Sequence, residues 1–377
     1  NSYDLKGGAA IASYRLHKCL LENNINSMML VLNKEGNDYT VLGGGNKFDI
    51  IFNKLRGILD YLPVRLFKGR TKTLFSPSWI PFGNIVKKIH ELNPDIVHLH
   101  WICDGMLKIE DLKKINVPVI WSLHDMWPFT GGCHYNENCN LFVKDCSKCK
   151  VLGIDNCFLS KFGLKRKKNT YKKMKNLTFV PTSKWIESMA KKNFAEEYLS
   201  NVLYNPLDVH LFKPMQRESV RIFFNIPVYK KVILFGASNP FSDYRKGFVQ
   251  LSNALDILQD KDVLLLIVGS SKPEISPFKG YEVRYIPYIK DEISLPLIYN
   301  VADVTIVPSL QETFGQMSSE SLACAVPVVG FDATGTADIV DHKFNGYLAK
   351  NFEHEDLAEG ISWVLNNKDY NTLCVNA

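Results

Sequence analysis

Two glutamates, Glu312 and Glu320, stand eight positions apart in the segment ADVTIVPSLQETFGQMSSESLACAVPVVG, which runs from Ala302 to Gly330. An apolar run ends at Pro308–Ser309, a short loop carries Glu312, and a helix is expected to begin near Gly315. Free backbone N–H groups at such a start, around Phe314–Gln316, can hold a phosphate. Glu312 would accept hydroxyl hydrogen bonds beside that phosphate. Glu320 would lie about 7 Å further along the helix, at 1.5 Å per residue. That reach suits a ribose, whose vicinal hydroxyls a carboxylate takes in pairs. The spacing alone also fits an ordinary capped helix with a solvent-facing Glu320.

Other residues have types that suit the same chemistry. Lys6-Gly7-Gly8-Ala9-Ala10 precedes an amphipathic stretch, and glycines there let backbone approach a ligand with no Cβ in the way. His124 and Asp125 emerge at the carboxyl end of the apolar run Pro118–Leu123, where a histidine can donate to a sugar hydroxyl or to a reaction centre. His98 and His100 alternate on an earlier strand and read as packing and polar support. Cys133, Cys139, Cys146 and Cys149 follow His124. Their Cys-x-x-Cys end admits a structural zinc, and packed reduced thiols are the alternative. Trp127, Phe129 and Tyr135 on that loop could stack on an acceptor sugar. Lys161–Lys175 holds eight Lys/Arg residues and no acid, so it reads as a basic amphipathic stretch able to lie on an anionic membrane. No nucleic-acid recognition motif accompanies it.

The elements that must position these residues follow from periodicity. Short β-branched runs alternate with longer amphipathic stretches, the pattern of parallel sheets with helices on both faces. Strands are expected at 27–32, 40–43, 95–101, 117–123, 177–181 and 201–204, then at 231–236, 263–269, 282–288, 304–308, 326–331 and 346–349. Helices are expected at 9–23, 183–193, 247–259, 295–300 and 316–325. The pattern pauses at Asn205-Pro206-Leu207-Asp208. An α/β chain of two doubly wound domains results, 1–205 and 206–377, facing across a cleft, with ligands beyond the carboxyl ends of the strands. At 377 residues, 46% hydrophobic and 22% charged, the composition is that of an ordinary globular protein. A net charge of +6 does not by itself call for nucleic acid. No apolar run approaches the roughly 18–20 residues that cross a bilayer, and no secretory signal is visible. Nine dispersed cysteines favour a reducing cytosol.

The arrangement strand–Pro-Ser-x-x-Glu-Thr-Phe-Gly-x-x-x-x-Glu-x-x-Ala-x-x-x-Pro-Val-Val resembles the retaining glycosyltransferases of GT-B fold, family 4, also called group 1. The resemblance extends over nearly the whole chain. Through Gly7–Leu20, Asp95–Gly105 and Pro118–Cys149 it is similar to members acting in O-antigen, capsule and exopolysaccharide assembly. It implies that the first domain faces the acceptor and the second binds a nucleoside diphosphate sugar. Glu312 would then contact the donor sugar and Glu320 the ribose. Phe314 and Gly315 would bind the diphosphate, with Gly7 and Gly8 at the diphosphate and transferred sugar. His124 would contact the donor sugar, and Lys246 would neutralise the leaving diphosphate. The family's usual arginine after the first strand of the second domain is replaced by Ala237–Ser238, and Arg245 is the candidate substitute. The one Asp-x-Asp spacing, Asp260–Lys261–Asp262, precedes a strand, the wrong end for a metal-held diphosphate, so no catalytic cofactor is expected.

Together these readings imply a hexosyltransferase-type enzyme on the inner face of the cytoplasmic membrane, acting on a lipid-linked glycan. A nucleotide-sugar 2-epimerase of similar fold and a non-catalytic sugar-nucleotide-binding protein are the alternatives. The family's closing helix is not evident after Trp363, so the C-terminal end is expected to be incomplete.

Overall fold

The computed structural model describes residues 1–377 except 44–46, 82, 195–197, 238–240, 242, 259, 274–276 and 290, and the side chains of 47–49. Ser238, one half of the replaced arginine position, and Gln259, the expected end of a helix, lie outside the described residues. The chain divides into two compact units, Asn1–Pro206 and Leu207–Ala377.

In the first unit the order is α1 (Gly8–Glu22), β1 (Met29–Leu30), β2 (Val41–Leu42), α2 (Lys47–Arg65), α3 (Ile85–Leu92), β3 (Val97–Leu99), β4 (Val119–Leu123), α4 (Phe158–Tyr171), β5 (Leu177–Pro181) and α5 (Lys184–Lys191). β3, β4 and β5 form a parallel sheet in that order, and β1 pairs with β2. Trp121, Leu123 and Phe179 are buried at the centre of its core. The chain start runs beside β3, since Ser2 N donates to the Trp101 carbonyl and Trp101 N to Asn1 Oδ1.

The second unit holds α6 (Arg217–Phe223), β6 (Lys231–Gly236), α7 (Phe248–Ile257), β7 (Val263–Val268), β8 (Glu282–Ile286), α8 (Leu295–Asn300), β9 (Val304–Val307), α9 (Gln316–Ala323), β10 (Val328–Phe331), β11 (Gly346–Ala349), α10 (His354–Leu365) and α11 (Tyr370–Asn376). Its six parallel strands are ordered β11-β10-β9-β6-β7-β8. Strands lined by Val, Ile and Leu on both faces suit a sheet covered by helices on both sides. From β6 the chain winds outward through β7 and β8, then returns to lay β9 on the other side of β6. The order therefore reverses between β6 and β9, and such a reversal point is where sheets of this kind hold ligands, beyond the carboxyl ends of the strands.

Two expectations are corrected. Residues 201–204 form no strand: Ser200 N and Leu203 N each donate once to β5, but the pairing stops at the isolated bridge Phe179–Leu199. The basic run 161–175 does not present all its cations on an outer face either, as a stretch lying on a membrane would. Lys167 is 2% exposed, with Nζ 3.6 Å from the Trp127 ring centroid and a hydrogen bond to Thr130 O at 3.2 Å. Arg166 is held by both Glu110 oxygens at 2.6 and 2.7 Å. Lys161, Lys165, Lys172, Lys173 and Lys175 remain exposed.

The loop after β6 closes against the end of β9 at one glycine. Gly247 has φ +69°, and a Cβ there would stand 1.7 Å from the Pro308 carbonyl oxygen. Gly247→Ala must both clash with backbone and hold a left-handed conformation. It should lower unfolding stability by roughly 2–4 kcal/mol, read by thermal or urea denaturation.

Candidate active site at the sheet switch point

The crevice between β6 and β9 is lined by two loops that the Gly247–Pro308 contact holds together. Leu310 N donates to the Arg245 carbonyl at 2.7 Å, tying the loop after β9 to the turn Tyr244–Lys246. Lys246 Nζ donates to Glu312 Oε2 at 2.6 Å, and Ser309 Oγ lies 3.5 Å from the same oxygen. The Arg245 guanidinium turns back onto Asp243, with Nε 3.0 Å from Oδ1 and Nη2 2.5 Å from Oδ2. Lys246 and Glu312 are thus brought together, while Arg245 binds within its own turn.

The start of α9 follows directly. Gly315, at φ +95°, is its N-cap and has no side chain to cap it, and no acid lies in its first turn. Its leading N–H groups and the positive end of its dipole therefore have no negative side chain beside them in that turn. A Cβ on Gly315 would meet Thr336 Oγ1 at 3.3 Å and Ser318 Oγ at 3.5 Å. Both hydroxyls are buried and have no hydrogen-bond partner among the described residues, and the same holds for Thr334 Oγ1. Buried hydroxyls left unpaired are costly, and hydroxyl donors around a helix start suit an anion. The Phe314 ring is buried, so any part this residue takes in anion binding falls to its backbone. Gly335 N donates to the Glu312 carbonyl at 2.8 Å and packs the loop from the other side.

Glu320 is only 4% exposed, which rules out the solvent-facing reading. Tyr299, at the end of α8, donates its hydroxyl to Glu320 Oε2 at 2.6 Å and fixes the carboxylate's orientation. Tyr299, Ser318 and Thr336 had no sequence signal of their own, because only the packing of α8, α9 and the 334–338 turn brings them here. Asp260 and Asp262 lie before β7 and pair with Lys231 (3.3 Å) and Lys230 (2.5 Å), away from this crevice.

In the first unit, Gly7 (φ +88°) caps α1, and Gly7 and Gly8 are both exposed. His124 follows β4 and shares a 2.8 Å hydrogen bond with His100, Nε2 to Nδ1. His100 stacks on His98, ring centroids 4.3 Å apart, and His98 Nε2 meets Ser122 Oγ at 2.9 Å. His100 is therefore His124's direct partner, a role that strand alternation alone did not reveal. Asp125 fixes the loop beyond: its carboxylate receives Trp127 N (2.8 Å) and Trp101 Nε1 (3.0 Å) and meets His134 Nδ1 at 2.5 Å. Burial pushes this carboxyl upward, but the facing His134 and the donated hydrogen bonds hold it below the ordinary carboxylate range. Trp127 and Phe129 are 2% and 0% exposed, so they pack the core and are not an acceptor platform.

Cys133, Cys139, Cys146 and Cys149 line one small cavity and are free thiols. Among the described residues no group of three or more His, Cys, Asp or Glu side chains is placed to hold a metal ion. Burial pushes Cys133 up to about 11 and Cys146 to about 12, which keeps both protonated at neutral pH. Cys157, unremarked in the sequence, shares a thiol hydrogen bond with Cys149. As placed, these are packed thiols. Metal analysis of the reduced protein should return no stoichiometric zinc, and one equivalent would show that the sulfurs close on an ion.

Residues 218–377 match the family model "Glycosyl transferases group 1". The chain is 26% identical over 206 residues to the D-inositol 3-phosphate glycosyltransferase of Mycolicibacterium smegmatis, covering 50% of this chain and 45% of that protein. It is 29% identical over 133 residues to the capsular polysaccharide biosynthesis glycosyltransferase CapM of Staphylococcus aureus, covering 33% and 34%. With the alpha-monoglucosyldiacylglycerol synthase of Acholeplasma laidlawii it shares 24% over 335 residues, covering 84% and 76%. The chain thus spans half or less of the length of the first two of these relatives. Among solved structures, sucrose-phosphate synthase from Thermosynechococcus elongatus superposes with TM-score 0.68 at 18% identity, covering 100% of this chain and 88% of that one. Anabaena HepE in complex with UDP and glucose gives 0.66 at 16%, covering 100% and 91%. The fold is that of the GT-B glycosyltransferases, mixed α/β with parallel sheets, and the second unit carries the group 1 match.

Burial holds His98 and His124 down to about 4, and His100 well below its ordinary value. An unfolded histidine takes up its proton near pH 6.5. Between about pH 6.5 and 4 the unfolded chain therefore binds more protons than the native one, and stability is lost as pH falls through that window. By pH 5 the loss should be about 1–2 kcal/mol for each such histidine. Thermal unfolding followed from pH 7 to 5 should show this slope, and His100→Asn should flatten it while lowering stability overall.

Proposed function

We propose that this protein is a glycosyltransferase that moves a sugar from a nucleoside diphosphate donor to a glycan acceptor with retention of configuration. The observation that carries the reading is the loop arrangement at the sheet's reversal point: the Lys246–Glu312 pair stands before a helix that starts at Gly315, near buried hydroxyls with no partner among the described residues. In this reading the α9 N–H groups, Ser318 and Thr336 receive the diphosphate, and Lys246 neutralises the charge that builds up on it as it leaves. Glu312 turns to the sugar hydroxyls. Glu320, oriented by Tyr299, takes the ribose hydroxyls. Gly7, Gly8 and His124 contribute contacts to the diphosphate and transferred sugar. The acceptor oxygen bonds to the anomeric carbon on the face from which the phosphate oxygen departs, and that phosphate takes the acceptor's proton. Positioning and leaving-group stabilisation supply the rate. No protein nucleophile or metal is required.

The likenesses to a capsular polysaccharide enzyme and to a glucosyldiacylglycerol synthase support a lipid-borne acceptor in surface polysaccharide assembly and a peripheral membrane position. No helix among the described residues is long and apolar enough to cross a membrane.

A panel of nucleotide sugars should raise the melting temperature for the true donor, and mass spectrometry should then show transfer to an added acceptor. Lys246→Ala and Glu312→Ala should each lower transfer by roughly 100-fold or more with the melting temperature of the unliganded protein little changed. Full activity in either variant sinks the assignment, and turnover of donor without acceptor identifies an isomerase instead.

A further inference from the structure

Helix α2 is built inside out. Its outward face carries Ile51, Leu55, Ile58 and Leu62, at spacings of four, three and four, and Leu66 continues the line just past its end. These side chains are 46–80% exposed. The face turned into the first unit carries the polar residues. Arg56 is 3% exposed and donates from Nε to the Gly105 carbonyl at 2.9 Å, and Asp60 is 2% exposed and receives Trp79 N at 3.0 Å. Asn53 Nδ2 donates to the Leu32 carbonyl at 2.8 Å. A helix on a protein surface ordinarily turns its apolar stripe inward and its charges outward. Here buried hydrogen bonds fasten the polar face, so the helix cannot roll over to hide its leucines without leaving Arg56 and Asp60 unpaired.

After Asp49 at its start, the charge along the stripe has one sign. From Ile50 to Phe75 the only acidic residue is the buried Asp60, while Lys54, Arg65, Lys68, Arg70 and Lys72 are all exposed. The patch continues onto α4. Tyr61 and Val64 pack with Leu159 in one cluster, and Thr71 N donates to the Val151 carbonyl. At the start of α4, Phe158 and Phe162 stack at 5.4 Å, and 75% of Phe158 is exposed beside Lys161 and Lys165.

We infer that the exposed face of α2 is a membrane-docking surface. Its apolar side chains enter the interface of an anionic bilayer, while the flanking cations meet lipid phosphates. An exposed apolar stripe framed by an excess of positive charge fits an anionic lipid surface. A second copy of this chain would bring the same cations against one another. The inference adds to the proposed transferase the place where it meets its acceptor's membrane, and it is read without donor or turnover. Its failure would leave the transferase reading standing.

The test uses the full chain and vesicle co-sedimentation. Vesicles of phosphatidylcholine with phosphatidylglycerol should capture the protein, phosphatidylcholine alone should not, and raising salt should weaken capture. The combined variant Leu55→Ser, Ile58→Ser and Leu62→Ser should lose on the order of tenfold or more of that binding with its melting temperature retained. Arg65→Gln with Lys68→Gln should weaken binding to the anionic vesicles only. Three results overturn the inference: no capture of the wild type, undiminished capture of the serine variant, or a wild-type dimer that the serine variant dissolves.

Discussion

The second unit depends on one close approach, the backbone of Gly247 against the carbonyl of Pro308. No side chain fits there, and the contact sets the loop after β6 on the end of β9. Everything in the crevice follows from it. Leu310 N reaches Arg245 O, Lys246 reaches Glu312, and the chain turns into α9 at Gly315. The switch in strand order provides a place, and this packing furnishes it.

Asp125 plays the corresponding part in the first unit, where a single carboxylate gathers Trp101, Trp127 and His134. That knot fixes the chain immediately after His124. The cysteine loop beyond, which invited a metal reading, is a packed rim with Trp127 and Phe129 in the core. Lys167, buried over Trp127, completes it from α4.

Much of the fold was legible because buried parallel strands must be apolar on both faces. The runs at 231–236 and 346–349 came out to the residue, and α9 was marked by Gly315 at its start. Residues 201–204 misled because a short apolar run is not a ladder: beyond the Phe179–Leu199 bridge only Leu203 N reaches β5, and one bond makes no strand. Of the candidate residues, Glu312, Phe314, Gly315 and Glu320 stood out by their spacing within one loop and helix, and Lys246 only through the resemblance to a family. Tyr299, Thr336 and His100 did not, because each reaches its place from a separate element and no local pattern records that. α2 hid for a different reason. Its 3.6-residue periodicity is ordinary, and only the three-dimensional structure shows which face looks outward.

The ion pair between Lys246 and Glu312 has a consequence for selectivity. The lysine is already paired with a carboxylate. Any ligand must outcompete a tethered carboxylate at 2.6 Å before the lysine is released. A diphosphate in the proposed role brings more charge to that exchange than a monoanion does, and it frees Glu312 for the hydroxyls of a sugar. In the proposed role, the pair sets a threshold that phosphate and sugar must cross together.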